Sequence, residues 1–551
     1  MNINMAFYFG SNKIDNLNNI IMSRNLSTES LYLQGQLSQF NDEINTIGSY
    51  AFYRYEDLTL IDLSQVGTVE NSAFDHCISL ASVNLPQATV IGSTAFNYCT
   101  SLVSVNLPQA ITIGSSAFCS CGALTSVNLS QAITIGSQAF YNCDALSSID
   151  LPQVVTIDDY AFAYCDALIS VNSPQVTTVG SSAFAHCNSL FSIDLSQATT
   201  IGSYAFYSCD ALTSVNLPQA TTIGASAFTS CSVLTSANLS QVISIGANAF
   251  RGCSALIEIN LPKITSIMTA TFESCDSLVS VNAPQVTIIG SEAFYDCNSL
   301  TTFNASSIRT ISGSAFYQCF LLNSIDLSHV SIIGSYAFYK CSALKSLSIS
   351  QVSVIRSGAF QRCMTLSTFT GAKVSTIFGG ASLSKNTSGR AISSYYGAFA
   401  YCSALTTVSF PIVSTIGATA FYSCRYLTTF TGPKVTKVEG MYSHVVSSNG
   451  ASYYLYGGAF AHCTRLSMVS LPKVSSIGSY AFAFCYSLLS LYLLGSSIPT
   501  LQTNAFYSTP ISSRSINGKY GSIFVPSSLY SSYKTANGWK YYSSRIVSVS
   551  V

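Results

Sequence analysis

The chain repeats itself every twenty-two residues. The stretch IGSYAFYSCDALTSVNLPQATTIG, residues 201–224, opens and closes on the same Ile-Gly pair. Its Ala-Phe pair recurs at Phe52, Phe74, Phe96 and Phe118, and on to Phe360 without a slip in spacing (Thr271 replaces the alanine once). Five further units follow at Phe399, Phe421, Phe460, Phe482 and Phe506, spaced 39, 22, 39, 22 and 24 residues apart. A unit this short cannot bury its own apolar face and needs neighbours stacked on either side, which is the definition of a solenoid. The length of 551 residues therefore measures rungs and not globular domains.

One unit can be read chemically. Val215 and Leu217 alternate with Ser214 and Asn216, the period-2 pattern of a strand with one buried face. Pro218 ends that strand because it cannot donate to a ladder. Ala220 and Ile223 then turn inward, and Gly224 marks a second corner. The segment AFYSC, 205–209, is too short for a full helix and is expected to form one helical turn that inserts Phe206 and Cys209. The expected fold class is thus α/β to mostly β: a leucine-rich-repeat solenoid, an arc or rod with parallel strands on one face and short helical turns on the other.

The pattern L-x-x-V-x-L-P followed by I-G-x-x-A-F-x-x-C resembles the BspA-like leucine-rich repeat family over about residues 47–510, or about twenty units. The general leucine-rich consensus has Asn or Cys three residues after the last strand leucine, where this chain has Ala88, Val154 or Ala220. Residues 1–46 break the register and are expected to cap the first unit, because an open solenoid end exposes a strand edge and an apolar cross-section. At the other end, residues 511–551 hold a strand, GSIFVP, a helix start at Pro526 and the single tryptophan, Trp539. This terminal module is similar to those closing repeat proteins of gut bacteria and their phages. The family resemblance implies a surface or extracellular protein that attaches to host cells, matrix proteins or other microbes.

Two insertions interrupt the rhythm, near 378–394 and 439–455. Their flanks match, FTGAKVSTI at 369–377 against FTGPKVTKV at 430–438, so a block of 61 residues has been duplicated. Both inserts are rich in Gly, Ser and Tyr and are expected to be loops projecting from one edge. Such a composition on a rigid scaffold suits adaptable binding, which makes Tyr395, Tyr396, Tyr442, Tyr453, Tyr454 and Tyr456 candidate contact residues. The plainer alternative is a pair of tolerated surface insertions. A second candidate is the strand face, where Ser82, Asn84, Ser104, Asn106, Ser126, Asn128, Ser214 and Asn216 would align as polar ladders. Amides and hydroxyls in such a row suit hydrogen bonding to glycans or to another protein's loops, and a merely solvated face would look the same.

Catalytic and metal chemistry find no constellation. Eighteen of the 19 cysteines sit three residues after a ladder phenylalanine, from Cys77 to Cys485, at a spacing unlike that of zinc ligands. They read as small buried hydrophobes, with Cys119 the one outside the slot. His76, His186 and His462 occupy one variable position. Asp62, Asp150, Asp194 and Asp326 replace the strand asparagine in units that are never adjacent. No enzyme, cofactor or metal is expected. With 23 basic and 23 acidic residues, only 8% of the chain, there is no electrostatic footprint for nucleic acid. No apolar run reaches the 18 residues of a membrane span, so no membrane insertion is expected. The N-terminus lacks a basic region followed by an apolar run, so no signal peptide is expected. The expected partner is a protein or glycan on a cell surface. Three settings stay open: an extracellular or cell-surface adhesin, a virion-associated phage or prophage tail component, and an intracellular scaffold.

Overall fold

The computed structural model of the chain describes residues 7–9, 12–14, 45–385, 391–446, 452–512, 515–516 and 518–550. The expected N-terminal cap lies almost wholly outside the described residues, apart from a short antiparallel pair, Phe7–Phe9 with Asn12–Ile14. Two compact units divide the chain, residues 1–264 and 265–551. Both are parallel β-solenoids, the fold class that the repeat predicts.

In the first unit each turn contributes two strands. The inner corner strand, Thr-Ile or its equivalent, builds an unbroken parallel sheet of ten, from Thr46–Ile47 to Ser244–Ile245. The Ser-Val-Asn strands pair parallel and in register, Ser126 beside Ser104 and Asn128 beside Asn106, in hydrogen-bonded groups of four, three and two. Their alternation is the expected one: Val215 is buried, Ser214 and Asn216 exposed.

The third side of each turn differs in detail from a helical turn. The amides of Ala205, Tyr207 and Cys209 close tight turns onto carbonyls three residues back, at 3.4, 3.0 and 3.3 Å. The amides between them, on Tyr204, Phe206 and Ser208, donate to Ala225, Ala227 and Thr229 of the next rung at 2.8, 2.7 and 2.9 Å. A helical turn would commit successive amides to carbonyls within the same segment and leave none to bind the neighbouring rung. The alternation is made by left-handed residues, Tyr204 at φ 58° and Ser208 at φ 54°, and it recurs from rung to rung. Each such residue costs about 1–2 kcal/mol, offset by a cross-rung bond of about 1 kcal/mol and by the inward Phe and Cys that the geometry delivers.

Those inward residues form the core. Phe206 is fully buried between Phe184 and Phe228, with ring centroids 5.3 and 5.2 Å away and planes nearly parallel. All eighteen ladder cysteines are buried. The thiols donate to a phenylalanine carbonyl one rung back, as Cys209 Sγ does to Phe184 O at 3.1 Å and Cys231 Sγ to Phe206 O at 3.1 Å, which a buried alanine could not do.

The corner glycine is required by close approach. A Cβ on Gly224 would stand 2.4 Å from Ser203 N and 2.5 Å from Gly202 C, both backbone atoms of the rung below. Gly122, by contrast, has nothing within 4 Å of that position. Gly224→Ala is therefore expected to cost about 1–3 kcal/mol through overpacking, with Gly122→Ala within about 0.5 kcal/mol of the parent. Urea unfolding of the two variants checks this, and equal midpoints would refute it.

The second unit repeats the plan, with a ten-stranded parallel corner sheet from Ser266–Ile267 to Thr500–Leu501. It closes on residues that leave the repeat. Ser522–Pro526 pairs parallel with the strand Ser490–Tyr492 and then with Ile546–Val549. Between them run a short 3-10 turn, the helix Tyr530–Thr535 and a second 3-10 segment, Trp539–Arg545. Trp539 is fully buried and donates its Nε1–H to Pro499 O at 2.7 Å. Among the described residues no helix is long and apolar enough to cross a membrane.

Candidate functional site

On the first unit, the strand face presents the predicted polar ladders. Asn84, Ser104, Asn106, Ser126, Asn128, Ser214 and Asn216 are exposed, and Ser82 is partly covered. Asn216 accepts from Asn238 Nδ2 across the rung at 3.0 Å, and Asn128 Oδ1 accepts the Ser130 amide at 3.3 Å. The same face is recessed from Ser126 onward. An open groove of about 660 Å³ runs across four rungs between those residues, with Ser148, Ser170 and Ser192 along it. Asp150, Asn172 and Asp194 line it in succession, and Asn172 Nδ2 donates to Asp150 at 2.6 Å. The two aspartates never sit on adjacent rungs, but one groove spans both. The side chain of Asp62 lies outside the described residues.

The inserts in the second unit are β-hairpins and not loops. Ala381–Lys385 pairs antiparallel with Ala391–Tyr395, and Tyr442–Val446 with Ser452–Tyr456. ASLSK and AISSY hold no glycine or proline to interrupt an extended pair. The strands Ala381–Lys385 and Tyr442–Val446 lie against each other.

Each predicted tyrosine can now be placed. Tyr395 stacks on Tyr422 with centroids 3.9 Å apart. Tyr396 meets Tyr336 edge-on at 6.4 Å, and its hydroxyl bonds Ser382. Tyr456 packs on Tyr480 at 4.7 Å. Tyr442 and Tyr454 are exposed side by side, 6.2 Å apart. Tyr453 lies in the second hairpin's strand opposite Val445, and its side chain is outside the described residues. The hairpin bases are thus fastened to the solenoid by aromatic packing, with Tyr442 also stacked on Tyr480 at 5.5 Å, while Tyr442 and Tyr454 keep nearly half of their surface exposed.

Against the first hairpin lies a pocket of about 420 Å³ that sequence reasoning did not find. Tyr336, Tyr339, Tyr396 and Tyr401 supply ring walls, and Gln361 and Arg362 supply polar groups. Gln361 Nε2 donates to Tyr395 O at 2.8 Å, which fixes the amide and ties rung to hairpin. Among the described residues its Oε1 is buried without a partner, as is Arg362 Nε. The Arg362 guanidinium sits 5.1 Å from the centre of the Tyr401 ring. Burial, with Tyr396 and Tyr339 adding to it, pushes the Tyr336 phenol up to about 12, so it remains a protonated donor at neutral pH.

Gly358 makes the pocket possible. At φ 68° it donates its amide to Tyr396 O at 2.8 Å, and a Cβ there would stand 2.4 Å from the Tyr336 ring. The signal was present in the sequence, since this slot holds Tyr336 one unit earlier and Tyr204 or Ser226 elsewhere. Cys119, the thiol outside the ladder, is half-buried 3.7 Å from Ser120 Oγ, and burial raises its pKa.

A parallel solenoid that keeps one core pattern and varies its exposed slots defines the class of binding repeat proteins. Within that class, the chain belongs to the BspA-type leucine-rich repeat family. The profile described as a BspA type leucine rich repeat region matches residues 25–147, 155–279, 265–390, 390–448 and 453–537. No curated protein sequence matches the chain significantly. Among solved structures it is similar to a leucine-rich repeat protein of Bacteroides ovatus, at 20% identity over 83% of this chain and 94% of that one, with a TM-score of 0.36. It is also similar to a leucine rich cell surface protein of Faecalibacterium prausnitzii, at 22% identity over 67% and 83% of the two chains, with a TM-score of 0.30.

Proposed function

We propose that the protein is a non-catalytic recognition protein that attaches to a protein or glycan on a cell surface. The observation that carries this reading is the pair of tyrosine hairpins, whose bases are locked to rigid rungs and whose outer rings are exposed. Tyrosine supplies broad contact area at low cost in side-chain freedom, and a pre-ordered base reduces the entropy lost on binding. Family membership supports attachment to host cells, matrix proteins or other microbes, as expected of BspA-type repeats. The strand-face groove offers a second polar surface for the same purpose.

The test is binding of labelled full-length protein to intact bacterial cells and to animal epithelial cells. A partner variant has both hairpins excised so that each 39-residue spacing returns to 22. Binding to epithelial cells or matrix, lost at least tenfold in the variant, is the expected result for an adhesin. Binding to a narrow set of bacteria instead would favour a tail component that recognises a bacterial surface. Attachment that survives excision would move the contact to the strand face, and binding to neither cell type would overturn the proposal in favour of an intracellular scaffold.

A further inference from the structure

We infer that the pocket beside the first hairpin is a subsite for a carboxylate-bearing sugar, with the pyranose ring against the tyrosines and its carboxylate on Arg362. The inference rests on the recognition reading above and names its ligand chemistry. Three observations lead to it. First, the walls and the polar groups are matched to an amphipathic ligand. Tyr336, Tyr339 and Tyr396 offer ring surface and phenol hydroxyls, while Ser393 and Ser394 of the hairpin add two more hydroxyls. The volume, about 420 Å³, falls in the ordinary range for small-ligand sites. A pyranose has apolar C–H faces and a hydroxyl rim, and so can use both kinds of surface at once.

Second, two polar side chains lining the pocket are left incomplete. Gln361 is only 6% exposed, and among the described residues its Oε1 accepts nothing while Arg362 Nε donates to nothing. Buried polar atoms without partners are rare and costly; both are closed to solvent, so a ligand bringing a hydroxyl donor and an anionic acceptor would complete them only as the Gln361 amide and the Arg362 guanidinium turn toward the pocket. Third, the charge is one-sided, since among the described residues no carboxylate lines the pocket and Arg362 is its one charged residue. A planar guanidinium backed by an aromatic ring is suited to a carboxylate.

The duplication supplies an internal comparison. Sixty-one residues on, Gln361 is replaced by Tyr422, Arg362 by Ser423, Tyr396 by Gly457 and Tyr401 by His462. There the space is filled, because Tyr422 stacks directly on Tyr395 of the first hairpin. The polar pair therefore occurs at the first hairpin and is not copied at the second.

The experiment titrates the full chain with the methyl glycosides of glucuronic acid and N-acetylneuraminic acid, with methyl glucoside, and with a glutamate tripeptide, by saturation-transfer NMR and calorimetry. Either acidic sugar is expected to bind at least tenfold more tightly than methyl glucoside, and the stronger of the two identifies the source. Arg362→Gln should erase that preference, so that acidic and neutral sugars bind alike. Arg362→Lys should restore part of it, and Tyr396→Ala should weaken both sugars. Equal binding of acidic and neutral sugars, an unaltered preference in Arg362→Gln, or a tripeptide that binds as tightly as the sugars would each overturn the inference. So would a failure of all four probes to bind; if hairpin-dependent attachment to cells persisted, the recognition reading would stand without this subsite.

Discussion

Between pH 8 and pH 10 the solenoid is expected to lose stability steeply. The cause is the ladder of buried thiols. Burial pushes the Cys165, Cys231 and Cys402 thiols up to about 12, and it raises Cys187, Cys209 and Cys253 as well. In the unfolded chain a thiol titrates near 8.5. Folded values lie above unfolded ones, so the stabilisation is complete below about pH 8.5 and is lost as the pH rises toward the folded values. Once the unfolded thiols are ionised, each pH unit costs about 1.4 kcal/mol per cysteine. The five consecutive rungs from Cys165 to Cys253 together lose about 7 kcal/mol per unit, comparable to the whole stability of a small domain. Hydrogen exchange across residues 160–255 at pH 8.0, 9.0 and 9.7 would read the loss directly, after correction for the faster intrinsic exchange. Replacing those five cysteines by alanine should make that stretch's stability nearly independent of pH over the range. Unchanged alkaline sensitivity in that variant would shift the cause to the tyrosines, which ordinarily titrate near 10.

The second large effect is expected from Phe206→Ala. This ring is fully buried and sandwiched between two others, so its removal deletes two stacking contacts and leaves a cavity that rigid neighbouring rungs cannot close. Buried phenylalanine truncations cost about 3–5 kcal/mol. In a linear array each rung is stabilised by its neighbours, and a weakened interior rung divides the array into two shorter blocks. Urea unfolding followed by circular dichroism should accordingly broaden or split into two steps. A loss below about 1 kcal/mol would mean that the rungs collapse onto the gap, contrary to the packing described here. Phe506 stands in a different position, at the last rung, where Tyr542 meets it edge-on at 5.4 Å and Trp539 lies 6.3 Å away.

The core was readable from the sequence because each core slot admits few residues. Phe, Cys, Leu and Ile recur at fixed offsets, so their inward placement and the parallel stacking follow from period alone. The left-handed residues left no such trace. Their backbone geometry is imposed by the inter-rung bonds, and the side chains, pointing outward, are free to be Tyr204, Ser208, His186 or Asn248. The helical turn expected at AFYSC therefore had the right inward residues and the wrong hydrogen bonds. Both candidate recesses were hidden for a related reason. Asp150 and Asp194 look isolated when counted rung by rung, yet one groove spans four rungs. Gln361 and Arg362 sit in variable slots, and only the folded hairpin brings Tyr395 and Tyr396 to meet them.

The hairpins also show how the chain can acquire new surface. An ordinary rung spends two left-handed residues on its outer side, at the positions two before and two after the ladder phenylalanine. In the two enlarged rungs the earlier position is Gly397 or Gly458, and neither is left-handed; only Tyr401 and His462 remain so. Splicing a hairpin at that point removes one strained residue from the rung while leaving Phe399 and Phe460 stacked as before. The spine and the surface are consequently inherited on separate terms: the period tolerates almost no change, while the chain diversifies what it touches at hairpin junctions built on Gly379, Gly397, Gly440 and Gly458, where a Cβ would stand 1.7–2.0 Å from a backbone oxygen of the next rung.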